Sequence, residues 1–379
     1  MRHQVPRVEA TSELADLVAP LFTRAEPRRQ ALAYIDGLLN AAERGNSRLL
    51  AEHAGARTAW STQRLLTRAR WDAEEFRDRI RDYLGSRLAR PSAQLVLCQY
   101  ETPRTGSQAV AVARQPAEHD GRPRNSQVAV LLCYVSPRGS ALIDRELFLP
   151  PEWSADPARC ADAGIPEGQI RHRSKAALGR EMTERAAAGG LPFSWVVGGP
   201  GFGRDVQLRD WLRRRRLPYV LELPAEPARV ALTALRTSEA AWPSGVNSPR
   251  LEGGWQLAGR DPVLARRLWG PPADGFRHSL LLRRNPAGDE SAHLVHAPEP
   301  TPIASMAAAV LSRRAADLTI RRAEAHAGLG SHQVRGWMAW YRHTTLAMAA
   351  AALRETRAAE ATGPVALSTG NAAKYRSRQ

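Results

Sequence analysis

The sequence predicts a mixed α/β protein of the α+β type, in which a helical N-terminal domain precedes a core of sheet and helices. Three observations lead to this fold class. Apolar residues recur at helix spacing over most of the first ninety positions. From Gln94 onwards the pattern changes to short apolar runs separated by turn-rich stretches, which is typical of strands. Helical and strand patterns then alternate up to Leu223, and helical patterns return near the C-terminus.

The N-terminal part divides into two segments. Residues 1–20 show no clear periodicity, and we expect a flexible arm there. Residues 21–90 have helical periodicity, and we interpret them as a helical DNA-binding region. Within this region, Asn46–Gly55 and Trp60–Arg68 are short helical patterns around a glycine turn. They are compatible with a helix-turn-helix motif, and slightly better with an ordinary helical hairpin in a small bundle.

The first part of the core is predicted over residues 91–224. The runs with strand character are Leu95–Cys98, Ala109–Ala113, Val128–Tyr134 and Ala141–Leu147. Because their connections are of hairpin length, we expect an antiparallel meander. The elements predicted next are a helix over Lys175–Ala188, a strand over Phe193–Val197, a helix over Leu208–Arg215 and a strand over Tyr219–Leu223. This order of strands and helices is that of a ribonuclease-H-like core.

Residues 225–300 are predicted as an insertion before the C-terminal helices. Their first fifty positions are rich in Pro, Gly and Trp, and Ser279–Arg283 with His293–His296 forms a predicted hairpin. Residues 301–357 are expected to complete the core with helices over 303–327 and 334–357, and residues 358–379 are expected to be a tail.

The charge of the chain indicates its partner. The formal net charge is +16, from 54 basic and 38 acidic residues. A polyanion such as double-stranded DNA is the natural partner of so basic a protein. Lys175 and Lys374 are the only lysines, and a GC-rich genome tends to produce such an arginine bias. The excess of basic over acidic residues remains after that bias is considered.

Other bulk features exclude several classes of protein. Cys98, Cys133 and Cys160 are far apart and form no CxxC pair, so neither a zinc site nor a disulfide framework is expected. No apolar run approaches the ~18 residues of a membrane span, and the first residues lack the apolar core of a signal peptide. We therefore expect a cytoplasmic protein that does not engage a membrane.

Many stretches occur in the order found in one family of DNA-processing enzymes. The most extensive of them are Tyr34–Leu39, Gln63–Leu66, Val112–Gln115, Asn125–Val128, Pro137–Leu147, Leu149–Trp153, Phe202–Asp205, Leu217–Leu221 and Trp340–Met348. From about Phe22 to Arg357 the chain resembles the DDE transposases of bacterial insertion sequences, in the group numbered seven hundred and one. The resemblance implies phosphoryl transfer at DNA ends by two Mg²⁺ ions, held by an Asp on the first strand, an Asp after a later strand and a Glu on a C-terminal helix.

The metal-binding positions of the family are changed in this chain. The resemblance places Cys98 on the first Asp and Gly199 on the second, and it aligns Asp317 and Leu318 with the Glu motif. A thiol is a poor ligand for Mg²⁺, and glycine offers no side chain. Asp317 keeps one carboxylate, one methylene shorter. We therefore predict that the ancestral Mg²⁺ site is lost, with no bound metal or other cofactor. We also expect Cys98 and Gly199 to lie within ~15 Å of each other, at one end of the central strands.

The resulting hypothesis is a degenerate transposase-family protein that binds double-stranded DNA without cleaving it, as a domesticated regulator or architectural protein of the nucleoid. The residues expected to contact DNA are Arg48, Arg64, Arg114, Arg204, Arg213, Arg214, Arg215, Arg216, Arg342 and His343. Two assignments stay open: Arg213–Arg216 is equally compatible with a solvated helix face, and His343 with helix packing.

Three alternatives accompany this hypothesis. The first is an active transposase with a non-standard metal site, for which Glu101, Asp144 and Glu146 are the nearby carboxylates in sequence. The second is a relic without function, although the intact Leu149–Trp153 and Trp340–Met348 argue against simple decay. Homodimerisation stays open as well.

Overall fold

A computed structural model describes residues 7–40, 59–118, 121–226, 228, 251–257, 263–284 and 289–362. Within these ranges the main helices are α1 (Arg7–Val18), α2 (Ala25–Asn40), α3 (Ala59–Thr67), α4 (Ala73–Leu88), α5 (Pro151–Ser154), α6 (Pro157–Asp162), α7 (Lys175–Ala188), α8 (Pro200–Gly203), α9 (Val206–Arg214), α10 (Ile303–Ala327) and α11 (Trp337–Thr362). The strands are β1 (Gln94–Pro103), β2 (Ala113–Pro116), β3 (Pro123–Ser136), β4 (Gly139–Leu147), β5 (Trp195–Gly198), β6 (Tyr219–Glu222), β7 (Leu251–Leu257), β8 (Val263–Ala273), β9 (Phe276–Arg284) and β10 (Glu290–Pro298).

The described strands form one mixed sheet with the order β2–β3–β1–β5–β6–β10–β9–β8–β7, and β4 also pairs with β3. The meander predicted from the hairpin-length connections is confirmed, because β3 is antiparallel to β1, β2 and β4. Strand β5 lies parallel to β1 and to β6, which are connected through helices. The order β4–β3–β1–β5–β6 is that of the predicted ribonuclease-H-like core.

The insertion continues the sheet rather than forming a separate layer. Strand β10 pairs antiparallel with β6, and β9 pairs with β10 over Phe276–Arg284. The hairpin predicted around residues 279–296 is therefore confirmed, and it extends the sheet beyond β6. Strands β8 and β7 add to its far side.

The N-terminal helices share one hydrophobic core with the sheet. Helices α2, α3 and α4 contact α11, whose stretch from Leu346 to Leu353 is fully buried. Tyr34 and Ile35 of α2 and Phe76 of α4 belong to the same cluster of buried residues as the central strands. Amphipathic helices obtain most of their stability from such packing. The chain thus places the C-terminal helix between the N-terminal helices and the sheet.

Three predictions about local structure are corrected. Residues 7–18 form α1 instead of a flexible arm, because Leu14 and Val18 are buried in the core. The strand predicted over 109–113 begins at Ala113, since Val110 donates its N–H to the carbonyl of Arg335 outside the sheet. Residues 358–362 continue α11 instead of starting the tail. The predicted short helix Asn46–Gly55 lies outside the described residues, so the helix-turn-helix interpretation stays a prediction.

Candidate functional site

Two of the family's metal-binding positions lie side by side at the carboxyl end of the parallel strands. In the β1–β5 ladder Leu97 pairs with Gly198, so Cys98 and Gly199 are the next residues on neighbouring strands. Neighbouring strands run about 4.8 Å apart. This register confirms the expected proximity of Cys98 and Gly199, and it follows from the buried apolar runs that form both strands.

Arg313 occupies the space that a side chain at position 199 would need. A Cβ atom built on Gly199 would lie 1.7 Å from Arg313 Nη1 and 2.4 Å from Cζ. Gly199 has φ of −77°, which any residue can adopt, so the conflict is purely one of volume. Arg313 reaches this point from α10, which crosses the carboxyl end of the sheet. A guanidinium group therefore stands where the second acid of the family would project.

Two glutamates hold this guanidinium. Arg313 Nη1 lies 3.2 Å from Glu222 Oε2, and Nη2 lies 3.3 Å from Glu118 Oε1. Glu222 ends β6, and Glu118 follows β2. Burial raises the pKa of both carboxyl groups, and the charge of Arg313 acts against that increase. The two carboxylates in turn hold the pKa of Arg313 above its usual value, against the effect of its burial. We call Cys98, Glu118, Gly199, Glu222, Arg313 and Asp317 the Arg313 cluster.

The third position of the family motif keeps its acid near the cluster. Asp317 lies one helical turn beyond Arg313 on α10 and is exposed to solvent. Its charge acts on Glu118, Glu222 and Arg313. Leu318, the neighbouring candidate, is 42% exposed. Of the two aligned positions, Asp317 is thus the one that contributes a charge to the cluster.

Cys98 lies against a second cysteine on the neighbouring strand. Its thiol contacts that of Cys133, and this contact together with burial raises the pKa of Cys133 well above its usual value. Cys133 Sγ also faces the carbonyl of Ala316 on α10, at 4.0 Å. Both cysteines are buried. The first metal position of the family is therefore occupied by a neutral thiol pair between the sheet and α10.

Glu101 belongs to a separate polar group behind the cluster. Gln99 donates to Glu101 Oε1 at 2.6 Å, the N–H of Glu118 donates to the same oxygen at 2.8 Å, and Lys175 Nζ donates to Gln99 Oε1 at 2.7 Å. Odd and even residues of a strand point to opposite faces, so Gln99 and Glu101 point away from the face of Cys98. Glu101 therefore supports the backbone of Glu118.

Asp144 and Glu146 do not join the cluster. Both lie on β4, which is separated from β1 by β3. Arg185 of α7 binds Asp144 Oδ2 at 2.9 Å and Glu146 Oε1 at 2.7 Å, and Tyr341 donates to Glu146 Oε2 at 2.8 Å. These buried carboxylates join β4 to α7 and α11. As replacement metal ligands they are ruled out by these contacts and by their position.

Two of the arginines expected to contact DNA lie near the Arg313 cluster. Arg204 is exposed and follows Gly203, whose backbone packs directly on the carbonyl of Glu222. Arg114 is exposed on β2, four residues before Glu118. Arg64 is 42% exposed on α3 and lies 3.9 Å from Glu26. Arg48 lies outside the described residues.

The run Arg213–Arg216 lies at the other end of the sheet. It directly precedes β6, so it adjoins the amino end of the parallel strands, opposite the cluster. Arg213 pairs with Asp210 at 3.1 Å, Arg215 pairs with Glu184 at 2.5 Å, and Arg216 donates to the carbonyl of Asp274 at 3.0 Å. The exposed run is thus partly engaged within the protein, and both interpretations of it remain open.

Arg342 and His343 correct the prediction that they contact DNA. Arg342 is 5% exposed and donates to the carbonyls of Leu65, Leu66 and Trp71, where it closes the C-terminal end of α3. His343 is fully buried, with Nδ1 2.7 Å from the hydroxyl of Tyr34. Their role is to join α11 to the N-terminal helices, which explains why a polar run can lie in the core.

A sheet of this order, with ionisable groups at the carboxyl end of its central strands, defines a ribonuclease-H-like nuclease scaffold. Residues 17–254, more than half of the chain, match the family described as DDE superfamily endonuclease. The chain therefore belongs to this family. No curated relative was found to match it. Among the described residues, no helix is both long and apolar enough to cross a membrane.

The donors at the cluster do not fit the metal ions that the family implies. Mg²⁺ prefers several carboxylate oxygens in octahedral geometry. Here position 98 carries a thiol, position 199 carries no side chain, and the space between them holds a guanidinium paired to Glu118 and Glu222. A cation at this point would face the positive charge of Arg313. No step of a metal-dependent reaction follows from this arrangement.

Three members of the cluster were missed in the sequence. Arg313 stands four residues before Asp317 on a predicted helix, so its place one turn away could have been anticipated. Glu222 lies within the predicted last core strand, which gave a weaker signal. Glu118 follows a turn-rich stretch, and only the fold brings it beside Arg313.

Proposed function

We propose that this member of the DDE superfamily binds double-stranded DNA without cleaving it, as a transposase-like regulator or architectural protein. The observation that carries the proposal is the guanidinium of Arg313 at the position of the family's second acid. Two ions that activate an attacking oxygen and stabilise a leaving oxygen need hard, negatively charged ligands. The Arg313 cluster offers a positively charged group at that point instead.

Binding of DNA is supported by the family and by the charge. The net charge of +16 favours a polyanion, and each neutralised phosphate contributes about −0.9 to the slope of log affinity against log salt. Arg114 and Arg204 are exposed at the end of the sheet where the cluster lies. We infer that DNA lies across this end and contacts both arginines. A DNA-binding role would place the protein at the nucleoid, and homodimerisation would give it two such surfaces.

One observation supports an active transposase as a second candidate. Glu118, Glu222 and Asp317 surround Arg313, so a movement of that side chain would leave three carboxylates near one point. In that case the protein would cleave DNA with Mg²⁺ or Mn²⁺ through a non-standard set of ligands. The two candidates share the binding surface and differ in the metal-dependent step.

The first part of the test measures binding. Fluorescence anisotropy with a labelled duplex, between about 50 and 200 mM salt, gives the salt slope of the affinity. Replacement of Arg114 and Arg204 by Ala should make the slope less steep by one to two contacts, about 0.9 each. The matched variant replaces Arg213, Arg214, Arg215 and Arg216 by Ala, and an equal loss there would assign the run to the DNA surface. The absence of binding at the lowest salt would reject the proposal.

The second part of the test measures cleavage. A supercoiled plasmid incubated with the purified protein and Mg²⁺ or Mn²⁺ should remain intact. Nicking that disappears in Asp317→Ala or Glu222→Gln would reject the non-cleaving proposal in favour of the second candidate. Nicking that persists in both variants would indicate a contaminating nuclease, which a fresh preparation of each variant would identify.

A further inference from the structure

We propose that Arg313 is a built-in cation, which replaces the metal ions of the family and completes the charge balance of the site without them. The inference deepens the proposed function and rests on it for the correspondence of positions 98 and 199 with the family's acids. It concerns metal binding alone, so it can fail or hold whether or not the protein binds DNA.

The geometry of Arg313 is that of a central cation. Its two terminal nitrogens contact different carboxylates, Glu118 on one side and Glu222 on the other, at 3.3 and 3.2 Å. These acids come from distant parts of the chain, and the guanidinium joins them. The side chain is 27% exposed, and the two glutamates are 24% and 25% exposed. Charges in such partly buried positions interact more strongly than surface pairs.

The surroundings of Arg313 favour a positive charge. Glu118 and Glu222 contact it directly, and Asp317 lies one turn away on the same helix. Lys175 is the other cation whose charge acts on Glu118. With Arg313 present the acids are neutralised by residues of the chain. Without it, three carboxylates would remain around an open space beside Gly199, and carboxylate oxygens are the ligands preferred by hard divalent cations.

The expected consequence is a gain of metal binding when Arg313 is removed. Arg313→Ala both opens the space beside Gly199 and removes one positive charge. A unit charge at about 5 Å, with an effective dielectric constant near 20, changes an affinity by on the order of a hundred-fold or more. Arg313→Lys keeps the charge and should not gain binding. Arg314→Ala removes a charge from the next position of the same helix, which is exposed, and serves as the matched control.

The experiment is a Mn²⁺ titration of the full-length protein without DNA, followed by water-proton relaxation and by calorimetry. We expect wild type, Arg313→Lys and Arg314→Ala to show no saturable site, and Arg313→Ala to bind one Mn²⁺ at least about a hundred-fold more tightly than wild type. The new site should disappear when Glu118→Gln and Glu222→Gln are added. Circular dichroism shows which variants are folded, and Arg313→Met, which fills more of the space, replaces Arg313→Ala should that variant unfold.

Two results would overturn the inference. One is saturable Mn²⁺ binding by the wild-type protein that disappears in the Glu118→Gln, Glu222→Gln variant, because a metal would then coexist with Arg313. The other is a folded Arg313→Ala or Arg313→Met variant that binds Mn²⁺ no better than Arg313→Lys. The wild-type titration decides the first point on its own, whatever the stability of the variants. Neither result depends on DNA, so the failure of DNA binding remains distinguishable.

Discussion

Replacement of Gly199 by Ala should destabilise the protein through Arg313 and through no other contact. The new Cβ would lie 1.7 Å from Nη1 and 2.5 Å from Nη2, where ordinary contact begins at 3.4 Å. The guanidinium must therefore move by more than an ångström. Its bonds of 3.2 and 3.3 Å to Glu222 and Glu118 would then both be broken.

The magnitude follows from these two bonds. A hydrogen bond to a charged group contributes about 1.5–3 kcal/mol. Complete loss of a buried partner costs about 3–5 kcal/mol, but here all three charges remain and can be rehydrated at the surface. We therefore expect Gly199→Ala to lower the free energy of unfolding by about 1.5–3 kcal/mol. The assay is urea unfolding followed by tryptophan fluorescence and circular dichroism.

Gly201 provides the matched control for this prediction. It lies on the same short helix, α8, and a Cβ built there meets no atom within 4 Å. Gly201→Ala should be neutral or stabilise by up to about 1 kcal/mol. In a variant that already carries Arg313→Ala, the penalty of Gly199→Ala should largely disappear, with a coupling energy of about 1–2 kcal/mol. Equal penalties in both backgrounds would refute the assigned position of Arg313.

Three further predictions concern the buried polar groups and the lost acids. Burial lowers the pKa of His343 to about 4, so its contribution to stability is present above its usual value near 6.5 and is lost as the pH falls below it. From about pH 7.5 to about pH 5, wild type should lose about 2 kcal/mol more stability than His343→Gln in urea unfolding, and equal losses would contradict this. Arg342→Ala should destabilise by about 2–4 kcal/mol, because three carbonyls lose their donor, yet leave the salt slope of DNA binding unchanged in the folded fraction. Cys98→Asp with Gly199→Asp should restore divalent binding and plasmid nicking only together with Arg313→Ala, and restoration without that change would contradict the volume conflict.

The strand order could be predicted from the sequence because each core strand is a short apolar run with turn residues around it. The runs at Leu95–Cys98 and Tyr219–Leu223 coincide with β1 and β6 to within a few residues. A similar run at Ala109–Ala113 misled the prediction, since burial under the segment before α11 requires the same composition as burial in a sheet. Apolar composition indicates burial, and the partner that provides it depends on tertiary structure.

The candidate site could be predicted only in part, for a different reason. The register of β1 and β5 follows from local patterns, and with it the proximity of Cys98 and Gly199. The conserved-looking run around Arg342 and His343 had no local signal that separates a DNA contact from a buried cap, because both use arginine donors. The ion pair of Arg313 with Glu118 spans 195 positions of the chain. Such a contact has no periodicity and is fixed by the fold alone.

The changes at positions 199 and 313 are physically one change. An acidic side chain at 199 and the guanidinium of Arg313 need the same volume, so the present position of either group excludes the other. Loss of the acid alone would leave a space beside two partly buried glutamates and would raise the free energy of their ionised forms. Arg313 fills that space and binds both carboxylates. Undirected decay would leave such acids without partners, whereas this cluster is charge-paired and packed. The arrangement therefore favours a protein maintained as a folded scaffold after the metal ligands were replaced.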